Sequence, residues 1–456
     1  MSILKKSEVN MTTGNIAKLI INFSVPLLVG NLFQQFYNVV DTWVVGNYVS
    51  DNAFSAVGTV GPILNMFIFG FMGFSSGAGV VISQYYGAGD LEKVKKTVHT
   101  MLIMSLVCCV LFTTAGWIFA PNMINFMKSP AGVYEEQLTY LRIIFAFISF
   151  QVIYNMTSAI LRAIGDSTRP FIFLVVACIS NIILDLLFVL KFKMGVAGVA
   201  YATIIAQGLS AILCCYVLIT TDSCVKFHGK DLKYDKHIGK QIIAMGIPTA
   251  LQQCITGFSN IFVQGYVNVF GSNVMGGWTI YNKVDQFIVL PQQSVGMAVS
   301  TFVGQNLGAG NEKRAKEGLK IATFMTLGVT AVLIALVVGF AGPVSYFFNQ
   351  NPDIIEYGKY FLRIISPFML FGCPSFLLIA GLRGAGNSNI PMAINIFCYV
   401  VFRQIYLAIV SRIWVGELFP VAIAYPVGWV LCAVIVTVYF VKVGFGVKQS
   451  IASQKE

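Results

Sequence analysis

Charge is what this chain has least of. Only 11% of its 456 residues are Asp, Glu, Lys or Arg, against about 25% in a soluble domain. So little charge cannot dress a water-facing surface, which excludes an ordinary cytosolic enzyme and a disordered chain alike. Histidine is also scarce: His99, His228 and His237 are three in all and scattered, which leaves no histidine metal site. The ten cysteines include no Cys-x-x-Cys pair, and most lie inside apolar runs, such as Cys108, Cys178, Cys254, Cys398 and Cys432. They read as free thiols that pack as small apolar residues, and a disulfide-stapled secreted fold is excluded. The zinc-protease and phosphate-loop motifs are absent, as is any Asp-rich metal motif. The expectation is therefore a protein that is not an enzyme and carries no cofactor.

Apolar residues fill the space, at 57% of the chain with a mean hydropathy of +0.76. That composition predicts an integral membrane protein. The first apolar stretch, Ile16 to Val45, is too long for a signal peptide. Twelve runs are long enough to span: 16–45, 54–83, 97–120, 138–163, 170–190, 196–220, 241–268, 274–304, 318–342, 357–381, 389–412 and 419–441. They lack a period-two alternation, so they predict helices and not an outer-membrane barrel.

The net charge of +11 is distributed by side. Twenty-one Lys and Arg residues fall at the N-terminus, on alternate loops, in the stretch 226–240 and at the C-terminus, and five fall on the opposite loops (Lys128, Lys191, Lys193, Lys359, Arg412). The asymmetry predicts a multi-pass protein of the cell (inner) membrane with both termini in the cytoplasm. No basic segment carries the aromatic interleaving of a nucleic-acid site. The expected partners are a small-molecule substrate and membrane lipid, with no nucleic acid and no obligate protein partner.

The chain repeats itself. Gln84-Tyr85-Tyr86-Gly87-Ala88-Gly89-Asp90 returns as Gln305-Asn306-Leu307-Gly308-Ala309-Gly310-Asn311, an offset of 221 residues. Leu161-Arg162-Ala163-Ile164-Gly165-Asp166-Ser167 returns as Leu382-Arg383-Gly384-Ala385-Gly386-Asn387-Ser388 at the same offset, and so does Leu141-Arg142-Ile143-Ile144 as Leu362-Arg363-Ile364-Ile365. Pro26 and Pro248 open the two halves 222 residues apart. One offset shared by separate motifs marks a duplication. Six spans per half is an even number, so both halves enter the membrane from the same side. The predicted fold is an all-α integral membrane protein: twelve transmembrane helices in two six-helix lobes, related by a pseudo-two-fold along the membrane normal, around a central cavity. The predicted N-lobe is 1–220 (helices 1–6), the cytoplasmic linker 221–240 and the C-lobe 241–456 (helices 7–12). This is the architecture of an alternating-access transporter.

An ionisable group within a span costs a few kcal/mol, so each is a candidate for function. Asp41 lies deep in the first span, with Tyr37 and Asn38 one turn back and Gln34 a turn before those. Asp185 lies deep in the fifth span, four residues after Asn181. Thr203 stands near the middle of the sixth, and the short connection at 191–195 makes the fifth and sixth antiparallel neighbours. If the first helix packs on them, these oxygens converge in a pocket for a hard monovalent cation or a proton. The competing reading is that they are buried polar links between helices. Pro26 frees a carbonyl in the first helix and provides a hinge. The second half has no such pocket: the matching positions are Val263, Phe402 and Tyr406. Candidates for lining a substrate cavity are Gln34, Asn38, Met156, Lys283, Asp285, Phe287 and Arg403; Lys283 and Asp285 are two apart and point different ways.

Twelve spans in two halves, the Pro26 helix with Tyr37 and Asp41, the doubled Gln-x-x-Gly-Ala-Gly stretch and the Leu-Arg-x-x-Gly-Asp/Asn-Ser turns resemble the multidrug and toxic compound extrusion (MATE) family over nearly the whole chain. The resemblance implies antiport of amphipathic, often cationic compounds out of the cell against Na⁺ or H⁺. It places the cation site at Tyr37, Asp41, Asn181, Asp185 and Thr203. Another branch of that family keeps an acidic residue in the seventh span. Here that stretch reads Gln252-Gln253-Cys254-Ile255-Thr256, which points to a DinF-like prokaryotic member. The alternatives are a flippase for lipid-linked oligosaccharides on the same architecture and, in a different class, a membrane enzyme or a channel.

Overall fold

Backbone N–H and C=O groups find no water inside a bilayer, so apolar runs of this length satisfy them internally as helices. The computed structural model describes residues 8–126, 131–227, 229 and 232–446, and they contain no strand. Lys5, Lys6, Lys128, Lys448 and Lys455 of the charge asymmetry, and His228, Lys230 and Asp231 of the expected linker, lie outside the described residues. In chain order the helices are α1 (Ile16–Tyr48), α2 (Asp51–Gly87), α3 (Leu91–Phe126), α4 (Ala131–Ala146), α5 (Ile148–Ala163), α6 (Thr168–Leu186), α7 (Gly195–Thr220), α8 (Lys236–Asn268) and α9 (Ser272–Gly308). They continue as α10 (Glu312–Gly339), α11 (Ala341–Phe348), α12 (Pro352–Ile365), α13 (Met369–Gly384), α14 (Asn389–Ile396), α15 (Arg403–Ile413), α16 (Leu418–Ala422) and α17 (Ala424–Val443). A π-helical turn, Leu187–Lys191, extends α6, and another, Phe397–Phe402, joins α14 to α15.

Among the described residues ten stretches are long and apolar enough to cross a membrane, and α4 with α5, bent by 45°, makes an eleventh. The expected seventh span, 241–268, is α8. It is 33 residues long, but Gln252, Gln253, Thr256, Ser259, Asn260 and Gln264 make it less apolar than the rest. Large side chains such as Val110, Ile212, Phe324 and Val332 stand exposed on the helices. An apolar exterior of that extent suits lipid and not water.

Two of the repeated motifs, 84–90 with 305–311 and 161–167 with 382–388, have a physical reason: each places a glycine just past a helix end and an Asp or Asn at the start of the next helix. Gly89 and Gly310 have φ of 74° and 73°, and Gly165 and Gly386 have φ of 89° and 90°. That left-handed conformation closes a helix and costs a residue with a Cβ about 1–2 kcal/mol. The residue after each glycine then caps the next helix. Asp90 accepts from Lys93 N at 3.0 Å, Asn311 from Arg314 N at 3.1 Å, Asp166 from Arg169 N at 3.1 Å and Asn387 from Ile390 N at 3.3 Å. The duplicated sequence is a duplicated pair of stop-and-start signals.

The chain forms two compact units, 1–10 with 29–243 and 11–28 with 244–456. In unit 1, α6 packs on α7, α3 on α4 and α5, and α2 and α7 on α5. In unit 2, α9 packs on α10, α12 and α13, and α13 on α17. Trp278 lies in an apolar cluster of unit 2, with ring centroids 5.1 Å from Tyr281 and Phe361. These units differ from the lobes expected at 1–220 and 241–456. Residues 11–28 group with the C-terminal helices because Met11, Ile16, Ile20, Phe23 and Leu27 are buried with Val299, Phe302, Leu319 and Leu377. The stretch expected as a linker is packed on unit 1. Val225 is buried, Phe227 lies 5.7 Å from the His99 ring, and residues 236–240 already belong to α8.

Candidate functional site

Three elements of unit 1 carry the site. α1 presents Tyr37 and Asp41 one turn apart, α6 presents Asn181 and Asp185 one turn apart, and α7 presents Thr203. Residues at i and i+4 share a helix face. The connection after the π-helical turn folds α7 back on α6, with Lys193 at φ 52°. Gly30 lets α1 approach closely, since a Cβ there would stand 3.2 Å from Phe171 and 3.3 Å from Leu174.

These elements bring the five predicted residues together. The carboxyl groups of Asp41 and Asp185 face each other within hydrogen-bonding range. Tyr37 lies beside Asp41 and Cys178 and pairs with Gln34. Thr203 Oγ1 donates to Val199 O at 3.0 Å, which leaves its lone pairs free to face the site. A small cavity is lined by Tyr37, Cys178, Asn181, Thr203 and Gln207, among others, and about 10 Å³ of it is open to a water-sized sphere. That is room for one water or one small ion.

Asp185 is fully buried and Asn181 is 2% exposed. Both carboxyl oxygens of Asp185, both polar atoms of Asn181, Asp41 Oδ1 and Gln207 Oε1 are buried without a hydrogen-bond donor or acceptor from the rest of the protein. Leaving one such atom unpaired costs about 1–3 kcal/mol, and more when it is charged. Two adjacent carboxyls need a shared proton or a cation between them.

The structure adds residues that the sequence did not single out. Tyr140 of α4 is buried next to both Asp41 and Asp185. Nothing in its sequence surroundings distinguishes it from any membrane tyrosine. Gln207 and Cys178 line the cavity. Gln207 had a signal, because it stands four residues after Thr203 on the same face.

The substrate candidates are more dispersed. Gln34 adjoins the site through Tyr37. Asn38 is exposed, and its carbonyl accepts from the Thr42 hydroxyl at 2.9 Å. Met156 is 1% exposed and so packs the interior of unit 1. In unit 2, Lys283 is exposed, and Phe287 is too. Asp285 accepts from Tyr281 Oη at 3.2 Å. Arg403 is buried, donates to Ser259 Oγ at 3.0 Å and Asn260 Oδ1 at 2.8 Å, and lies 4.7 Å from the Tyr425 ring centre. Pro26 stands inside α1, which runs through it as one helix.

Apolar helices of spanning length, with carboxyl and amide groups buried among them, describe a multi-pass membrane protein. The MatE family model matches twice, over 26–187 and 248–410, and the chain belongs to the MatE family. The two matches start 222 residues apart, at the two prolines of the repeat. Among relatives, the probable multidrug resistance protein YpnP of Bacillus subtilis is 27% identical over 408 residues, 90% of this chain and 91% of its own length. The probable multidrug resistance protein YoeA of the same organism is 27% identical over 426 residues, 92% of each. A solved MOP superfamily transporter from Pyrococcus furiosus superposes with a TM-score of 0.90 at 23% identity, covering 95% of this chain and 97% of that one. The fold is thus that of a MATE transporter, a multi-pass carrier of small molecules.

Proposed function

We propose that this protein is a secondary active antiporter that exports amphipathic, cationic drugs or metabolites in exchange for Na⁺ or H⁺. The observation that carries the reading is the open pocket of unit 1, in which the Asp41 and Asp185 carboxyls meet and find no donor from the rest of the protein. The coupling ion binds there, held by Asp41 and Asp185 with Tyr37, Asn181 and Thr203 as further oxygen ligands. The names of the multidrug-resistance relatives support drugs as cargo.

The protein works by alternating access in the cell (inner) membrane, with both termini in the cytoplasm. Ion entry shifts α1 at the Pro26 hinge and favours the substrate-free arrangement, so cargo leaves outward. One net charge moved across about 100 mV supplies roughly 2.3 kcal/mol, enough for about a fiftyfold gradient. One-for-one exchange with a monovalent cationic drug moves no net charge, and the chemical gradient of the ion then drives export.

Ethidium efflux from preloaded cells tests this, with the Na⁺ and proton gradients collapsed separately. Collapse of one gradient stops efflux and identifies the ion, and Asp41→Asn abolishes efflux from an inserted protein. Efflux from that variant at the parental rate would sink the ion assignment. Silence of a well-inserted parent would redirect the search to lipid-linked cargo.

A further inference from the structure

The cation site leaves one feature of the repeat without a use. Glycines and caps account for the turns, but not for the polar side chains buried ahead of them. Gln305 and Asn306 are fully buried at the end of α9. Gln305 Oε1 accepts the backbone N–H of Met11 at 2.9 Å. Asn306 Nδ2 donates to Met11 O at 3.2 Å and to Phe302 O at 2.8 Å. Arg314, in the first turn of α10, donates from Nη2 to Gly14 O at 2.8 Å and to Met11 O at 3.5 Å. Met11 is fully buried. The segment that leads into α1 is thus tied down by backbone hydrogen bonds to side chains of α9 and α10, all within unit 2.

The first half repeats the arrangement. The counterpart of Asn306 at the 221 offset is Tyr85. Its hydroxyl donates to Gln241 Oε1 at 2.8 Å, in the second turn of α8. Just before α8, the backbone N–H of Asp235 donates to Thr100 Oγ1 at 3.1 Å. In each unit the motif holds the start of a proline-containing helix that opens one half of the repeat.

α1 is that helix for the cation site. It is a single α-helix from Ile16 to Tyr48 with Pro26 inside it, rising about 1.5 Å per residue. Its beginning, 11–28, belongs to unit 2, and its later part, with Tyr37 and Asp41, belongs to unit 1. A rod held at its start keeps its axial position and rotation, and those two quantities decide whether Asp41 meets Asp185.

We infer that Gln305, Asn306 and Arg314 are positioning residues for transport: by clasping residues 11–14 they fix α1 in the register that assembles the Asp41/Asp185 site. This rests on the reading of that site as the coupling-ion site. Loosening the clasp lowers the fraction of molecules with the site assembled, and the apparent affinity for the ion falls by that fraction.

The test is ethidium export in proteoliposomes with Na⁺ titrated at fixed pH and pH titrated at fixed Na⁺, alongside the melting temperature of each variant. Arg314→Ala removes the donors to Gly14 and Met11. Gly14→Ala loosens the clasp from the other side: Gly14 has φ 87° and nothing within 4 Å of an added Cβ, so the change strains the backbone without a clash. Both variants should raise the ion level for half-maximal export by about three- to tenfold, the worth of one hydrogen bond, with the maximal rate within about twofold of the parent. Arg314→Lys, which can still donate to Gly14 O, should recover most of the shift. Parental half-saturation in both Arg314→Ala and Gly14→Ala would overturn the inference, and so would a fall in melting temperature and maximal rate without any shift in half-saturation. Asp41→Asn is the separate arm: if it exports like the parent, the site reading itself fails, whereas parental behaviour of the clasp variants alone removes only the clasp.

Discussion

The two halves of this chain share their turns and differ in their interiors. At the 221 offset the glycines agree in φ to within a degree, and Asp90, Asn311, Asp166 and Asn387 all cap the helix that follows. At the same offset Asp185 faces Asp41 in one half, while Tyr406 hydrogen-bonds to Pro420 O at 3.0 Å in the other. Asp41 itself corresponds, one residue further on, to buried Val263. The difference shows which features folding requires. A helix end needs its backbone groups satisfied whatever the helix does, so both copies of the turn keep the same chemistry. A pocket of unpaired oxygens opposes folding, so nothing in the fold itself calls for a second copy.

The sharpest way to break the comparison is to exchange the unlike positions. Asp41→Asn should leave the protein folded and reduce ion-driven export by about a hundredfold or more, because a neutral amide no longer balances a cation. Val263→Asp puts a carboxylate into a packed interior with no partner, at a cost of about 3–5 kcal/mol. It should cripple insertion or stability before any transport is measured. A folded Val263→Asp protein with parental melting behaviour would contradict the contrast between the halves.

Next in size is the buried cation of unit 2. Arg403→Leu removes the donor to Ser259 and Asn260 and should lower stability by about 1–3 kcal/mol. Thermal unfolding in detergent reads it. The loss of export should be much smaller than for Asp41→Asn; equal losses would make Arg403 a full partner in coupling.

The like positions offer a finer contrast. Gly165→Ala and Gly89→Ala both force a positive φ on alanine, costing about 1 kcal/mol. An added Cβ at Gly165 would also stand 2.0 Å from Val9 O, whereas at Gly89 nothing lies within 4 Å. Gly165→Ala should therefore lower the melting temperature by several degrees more than Gly89→Ala. Smallest is Gly30→Ala. Its contacts of 3.2 and 3.3 Å with two side chains should push α1 off α6 by a few tenths of an ångström and weaken ion binding about two- to threefold. Half-saturation measurements in Na⁺ and in pH would detect it.

Much of this was legible in the residues. Asp41 with Tyr37, and Asp185 with Asn181, stand four apart in otherwise apolar helices, and an i,i+4 pair shares a face in any α-helix. The short connection at 191–195 made α6 and α7 neighbours, which brought Thr203 to the same place. Tyr140 was not legible, because it reaches the pocket from α4 by packing alone. Met156 and Phe287 look alike as apolar residues of spans, yet Met156 is buried and Phe287 exposed; helix rotation separates them, and period alone does not fix rotation in a chain that is apolar all round.

The residues alone carried that the chain lives in a membrane, that it is helical, that it is duplicated, and where the turns of its repeated motifs fall. Composition, hydrogen-bond saturation in lipid and local capping are properties of short segments. Only the tertiary structure decided that residues 11–28 fold with the C-terminal helices, that the stretch before α8 packs on unit 1, and that the two carboxyls meet without a donor. Those outcomes depend on which apolar faces bury one another across hundreds of residues, and local spacing carries no information about that choice.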